Sequence, residues 1–154
     1  MSIISDAIQA KCLAFGDRII KLNDYLLAQA AMEHEKYKKE LRQRKPGQKT
    51  SSILHLPSSI PLHLQAVSNL CNQLLRSGTS VGANNAEASS AISKADFKSK
   101  SYIALKEARE SMYWLELLHR NNYLTDIQFN SLYADAEELV KVLTHRCKKL
   151  DGVE

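Results

Sequence analysis

The densest charge in this sequence is the run Lys36, Lys38, Lys39, Arg42, Arg44, Lys45 and Lys49, with Glu40 alone among them in opposition. Two smaller basic groups follow, Lys94, Lys98 and Lys100, then Arg146, Lys148 and Lys149. Clustered ammonium and guanidinium groups neutralise phosphates and release their counterions, so the chemistry open to them is binding of RNA or DNA backbone without base reading. A charge run is also the ordinary solvated face of a helix, and cations near a helix C-terminus suit its dipole. Tyr37, Tyr102 and Tyr113 could add stacking on bases, although Tyr102, Tyr113 and Trp114 fit packing between helices or subunits better.

Arg76, Ser80, Asn84 and Glu87 follow one another at steps of four, four and three, which puts them in one polar stripe on a helix. Glu107 and Glu110 are the natural partners of Arg76. Such a stripe serves either a recognition cleft or a structural polar network that fixes register, and the second is favoured because buried charges persist when paired. Glu116 and His119 match a Glu-x-x-His element, but a di-iron bundle needs two such elements plus further glutamates, and no second one is present. The five histidines, His34, His55, His63, His119 and His145, are scattered. Gly78-Thr-Ser-Val-Gly82 has no following Lys-Ser/Thr and lies in a helical pattern, so close packing explains it better than phosphate binding. No paired acids, nucleophile or metal set emerges, and the expectation is a protein that is not an enzyme and needs no cofactor.

The elements that must position these residues are helices. Ile4, Ile8, Cys12, Phe15, Ile19, Leu22 and Leu26 alternate steps of three and four, the seam of a helix over about 3–45 that stops before Pro46. Residues 46–59 form a long connection with a short apolar run, Ile53, Leu54 and Leu56. A second helix over about 60–89 starts at Ser59-Ile60-Pro61 and has the seam Leu64, Val67, Cys71, Leu74, Gly78, Val81, Asn85 and Ala88. Its late members are small, so another backbone can approach closely. Ser93 caps a third helix over about 94–121, whose apolar side runs Phe97, Ala104, Leu105, Ala108, Met112, Leu115 and Leu118. Thr125-Asp126-Ile127-Gln128 is a capping box that opens a fourth over about 125–149, with the seam Leu132, Ala136, Leu139, Leu143 and Leu150. Short connections between the last three make neighbours antiparallel, so the fold class is all-α, an antiparallel up-down-up-down four-helix bundle in one domain.

With 154 residues, 44% hydrophobic and 25% charged, the chain is long enough to bury one core without disulfides or metal. The three cysteines, Cys12, Cys71 and Cys147, are far apart and read as reduced core residues. No basic leader or apolar run of about 20 residues appears, so a cytoplasmic protein with no membrane partner is expected. Net charge is +4, and the antiparallel order puts the first basic run at one pole and the other two at the opposite pole.

RSGTSVGANNAEA at 76–88, the SKADF turn at 93–97 and YIALKEARESMYWLELL at 102–118 resemble, in order and spacing, the four-helix-bundle family of the 23S rRNA intervening-sequence protein. FGDRIIKL at 15–22 and DAEELVKVLT at 135–144 extend the resemblance over most of the chain. The segment from about Lys36 to Ile60 is longer than the family's usual first connection. The resemblance implies a left-handed bundle whose protomers form a homopentameric ring. It also implies kinship with the accessory protein of diversity-generating retroelements, a basic pentamer that binds nucleic acid and a reverse transcriptase. Nucleic-acid binding by a ring is therefore the first expectation, and a scaffold for a protein partner, using the 46–60 loop, is the second.

Overall fold

A computed structural model describes residues 3–43 and 59–152. Among them run four helices and no strand: α1 (Ile3–Gln43), α2 (Ser59–Ser89), α3 (Lys94–Arg120) and α4 (Asp126–Asp151). The expected bounds of α2, α3 and α4 and the start of α1 lie within two residues of those observed, because the terminating chemistry is local; the expected end of α1 at 45 lies outside the described residues. Ser93 accepts the Asp96 N–H at the head of α3. Thr125 and Gln128 complete a reciprocal capping box on α4, and Gly152 closes that helix in the left-handed region at φ 72°. Between α3 and α4 the chain turns at Asn122, whose φ of 62° is one that asparagine tolerates better than most residues.

Cross-helix pairs fix the directions. Ile19 meets Gly78 and Cys12 meets Gly82, so α2 runs against α1. Ser111 meets Ser77 while Lys100 meets Glu87, so α3 runs against α2. Lys98 meets Asp151 while His119 meets Asp126, so α4 runs against α3. The bundle closes where Lys11 meets Glu138 at 2.7 Å and Arg18 pairs with Asp135. This α1–α4 seam is the thinnest of the four.

Most of the seam residues read from the sequence form the core, although Leu64, Phe97, Met112 and Leu150 are only half-buried and Cys147 takes the buried place near the end of α4. Cys12, Phe15, Ile19, Val67, Cys71, Val81, Leu115, Leu118, Leu139 and Leu143 are all buried. Burying side chains of this size contributes roughly 1.5–3 kcal/mol each before conformational entropy is set against it. Leu26, Ala30 and Glu33 of α1 line a cleft together with Asn121, Asn122 and Tyr123 of the α3–α4 turn. Past Glu33, α1 therefore runs beyond α3 and α4. Residues 34–43 carry it about 15 Å further at the helical rise.

The two buried glycines of α2 are where helix α1 comes closest. A Cβ at Gly78 would lie 2.9 Å from Cγ1 of the fully buried Ile19, and one at Gly82 would lie 3.5 Å from Cys12 Cβ. Gly16 is the opposite case, with nothing within 4 Å of its missing Cβ. Gly16→Ala should raise unfolding free energy by about 0.5–1 kcal/mol through helix propensity alone. Gly78→Val should lower it by about 1–3 kcal/mol through overpacking. Urea titrations of both variants check the pair, and equal effects would contradict close packing at Gly78.

Candidate functional site

Basic residues at the far end of α1 face water. Lys36, Lys38, Lys39 and Arg42 are all exposed on the overhanging turns. Lys38 is paired with Glu35 at 2.9 Å, a surface pair one turn apart that water screens and that contributes little to stability. The hydrogen bond from Lys38 holds the Glu35 carboxyl below its usual pKa. Tyr37 on the same stretch is buried, so it is not available to stack on bases; its neighbours in sequence carry the charge and it carries the packing. Arg44, Lys45 and Lys49 lie outside the described residues, as do Ile53, Leu54 and Leu56 of the connection.

The opposite pole is arranged differently. Lys98 pairs with Asp151 at 2.6 Å, and Lys100 pairs with Glu87. Tyr102 also donates to Asp151; the bonds from Lys98 and Tyr102 together pull the Asp151 pKa down. Lys94, Lys148 and Lys149 are exposed. Arg146 departs from the outward cluster expected for it. Its Nη1 donates to Asn85 Oδ1 at 2.7 Å, and its guanidinium carbon sits 5.7 Å from the centre of the Phe97 ring. Burial pushes its pKa downward. An arginine three positions after a seam leucine, Leu143, falls beside the core, and its stem is long enough to reach a buried acceptor.

That acceptor belongs to a polar chain which touches every helix. Asn85 of α2 is 0% exposed in a position otherwise apolar. Its Nδ2 donates to Gln9 Oε1 on α1 at 2.6 Å, and Gln9 Nε2 in turn reaches the Gly82 carbonyl at 3.4 Å. Arg146 of α4 supplies the third link and Phe97 of α3 lies under it. A second buried polar contact, Ser111 Oγ to Ser77 Oγ at 3.0 Å, joins α2 to α3. Sequence reasoning misses Gln9, Ser77 and Ser111. The visible signal is Asn85 itself, since a buried amide at a seam position requires partners.

The stripe on α2 is not one network. Asn84 Nδ2 turns back to the Ser80 carbonyl at 2.9 Å, and Glu87 belongs to Lys100. Arg76 is exposed and acts on Glu107 only as a nearby positive charge, while burial and Glu110 together raise the Glu107 pKa. Glu110 is held by Trp114 Nε1 at 3.1 Å. Asn84, Glu87 and Glu110 are each satisfied within their own helix or by one neighbour, because side chains on a solvated face meet local partners first.

His119 bonds Asp126 at 2.8 Å and stacks on Phe129 with ring centres 4.2 Å apart, so it pins the α3–α4 turn. Among the described residues no group of three or more His, Cys, Asp or Glu is placed to hold a metal ion. The cysteines are all free and buried, and burial pushes the Cys12 and Cys71 thiols up to about 11. A thiol at that pKa is protonated and poorly nucleophilic near neutrality. None of the described helices is long and apolar enough to cross a membrane.

A sequence model of the 23S rRNA-intervening sequence protein family matches residues 48–145, which spans α2, α3 and most of α4. This chain belongs to that family. The family match leaves α1 outside it, but a solved structure extends the likeness. That structure is a protein of unknown function from the S23 ribosomal protein family of Bacteroides thetaiotaomicron. It is 33% identical with a TM-score of 0.67, over 95% of this chain and 99% of that one. No curated protein matches the chain. The bundle is thus common ground with that relative.

Asn85→Leu should cost about 2–4 kcal/mol in a denaturant titration, because it strands the Gln9 amide and a half-buried guanidinium together. Gln9→Leu, which removes one neutral partner and leaves Arg146 bonded, should cost less than half as much. A smaller loss for Asn85→Leu than for Gln9→Leu would show that the chain does not hold the helices.

Proposed function

We propose that this family member is a non-enzymatic, self-associating bundle that holds RNA or DNA backbone without reading sequence. The observation that carries the reading is the exposed row Lys36, Lys38, Lys39 and Arg42 on the part of α1 beyond α3 and α4. Three of the four, Lys36, Lys39 and Arg42, have no ion-pair partner among the described residues, and cations left unpaired in water are the ones that exchange counterions for phosphate. The overhang lets a duplex or single strand approach without meeting α3 or α4. The family's name ties it to an intervening sequence of 23S rRNA, which puts RNA first among the ligands to try.

Self-association multiplies this charge. Leu13 and Ile20 are 59% and 44% exposed, and with the partly buried Leu27 they recur at seven-residue steps along α1, with the open Gly16 between the first two. A heptad row of that kind fits a helix of another protomer. A homopentameric ring would repeat the α1 overhang around an axis and raise the local field accordingly. The same exposed row supports a second reading, a scaffold ring that presents a surface to a protein partner such as a reverse transcriptase.

Light scattering should give a mass of about five protomers. Titrations with unrelated RNA and DNA oligonucleotides should give similar affinities, with log K falling by about 0.9 per duplex phosphate contacted for each decade of salt. The triple change Lys36→Glu, Lys39→Glu and Arg42→Glu should weaken every ligand alike and flatten the slope by about one for each phosphate that a replaced cation neutralised. An oligomer with no salt-dependent binding would end the nucleic-acid reading and leave the scaffold.

A further inference from the structure

The pole formed by the ends of α2 and α4 and the starts of α1 and α3 carries a charge imbalance that pairing does not remove. Its acids are mostly committed. Glu87 holds Lys100, Asp151 holds Lys98, and Asp96 accepts the Ile92 N–H at 3.2 Å. Asp6 is exposed on the first turn of α1, where it suits the helix dipole. Among the described residues, the cations left over are Lys94, Arg146, Lys148 and Lys149.

Arg146 is the unusual member. It is half-buried, yet among the described residues no carboxylate pairs with it, and its polar partner there is the neutral Asn85 amide. A guanidinium has five N–H donors, and Asn85 takes one. None of its remaining nitrogens is a fully enclosed atom without a partner, and the residue as a whole is only half-buried. The Asn85 bond on one side and the Phe97 ring on another hold the planar group in one orientation. Lys149 follows Arg146 by three positions on α4, the spacing that places two side chains on one face.

From this arrangement we propose that Arg146, with Lys149 beside it, is a binding site for a phosphate oxyanion. The chemistry required is a fixed fork of N–H donors in a partly desolvated place, a second cation within reach and no competing carboxylate. Arginine in that setting binds phosphate through paired, charge-assisted hydrogen bonds. The site is separate from the α1 overhang, which lies at the other end of the bundle, and it stands or falls independently of nucleic-acid binding there. The phosphate is either free, as the inorganic ion or a terminal group, or part of a nucleic-acid chain.

Isothermal titration of the full chain with inorganic phosphate, at ionic strength matched with chloride, tests the site. Saturable binding is expected, about tenfold weaker in Arg146→Gln and about threefold weaker in Lys149→Gln. Arg146→Gln also loses its bond to Asn85, so Lys149→Gln, altered at an exposed side chain, is the variant that should keep its melting temperature while losing phosphate. The Lys36, Lys39, Arg42 triple variant should bind phosphate as the unaltered chain does. A trinucleotide with and without a 5′-phosphate separates the sources: a site for free or terminal phosphate takes only the first, and a site for a chain phosphate takes both. Absence of saturable phosphate binding, or equal affinity in Arg146→Gln, overturns the proposal.

Discussion

The close approach of α1 and α2 at Gly78 sets the geometry on which the other contacts depend. With Ile19 resting against a residue that has no side chain, the two backbones come nearer than paired leucines would allow. That spacing, carried one turn on to Gly82 and Cys12, brings Gln9 within hydrogen-bond reach of Asn85. Asn85 is then able to accept from Arg146, which ties α4 to α2, while α4 meets α1 only along a thin seam. A wider α1–α2 spacing would leave the amide with no partner and the guanidinium with no acceptor. Packing thus comes first, and the polar chain converts it into a single register.

Charge at the two ends of the bundle has been handled in two ways. Along the last turns of α1 the cations are crowded, water-facing and nearly unopposed, and a long helix keeps them away from the carboxylates of the other three. At the other pole lysines and acids interleave, and pairing cancels much of the field; what remains is concentrated around one half-buried arginine. The first arrangement gives breadth without geometry and the second gives geometry without breadth. Long-range attraction to a polyanion needs only the former, whereas fixing one oxyanion needs the latter.

The helices, their seams and their caps were legible in the sequence because each rests on local chemistry. Steps of three and four placed Phe15, Ile19, Val81 and Leu139 in the core, and Thr125 with Gln128 announced the start of α4. Gly78 was also legible as a packing glycine, since it sits in a seam. Side-chain direction at the margin of a seam was not. Arg146 reads like Lys148 and Lys149 in a charge run, and only the reach of its stem toward Asn85 separates them. Tyr37 sits among lysines and gives no sign that it is buried. Arg76, Ser80, Asn84 and Glu87 do share a face, but spacing cannot say that Asn84 would bond its own helix and Glu87 would answer Lys100.

The unequal helix lengths divide the molecule into regions of different cooperativity. Phe15 and Ile19 are buried in the bundle core, with all four helices contributing to it, so amide exchange there must await global unfolding. Residues 34–43 lack that surround on the side of α3 and α4, and their helix rests on intrinsic propensity and on the buried Tyr37. Their amides belong to a separate, weaker unit, free to open and close while the bundle stays intact. Lengthening or shortening α1 beyond Tyr37 by whole turns would then alter reach without touching the core, so this stretch is the part of the fold most open to evolutionary drift.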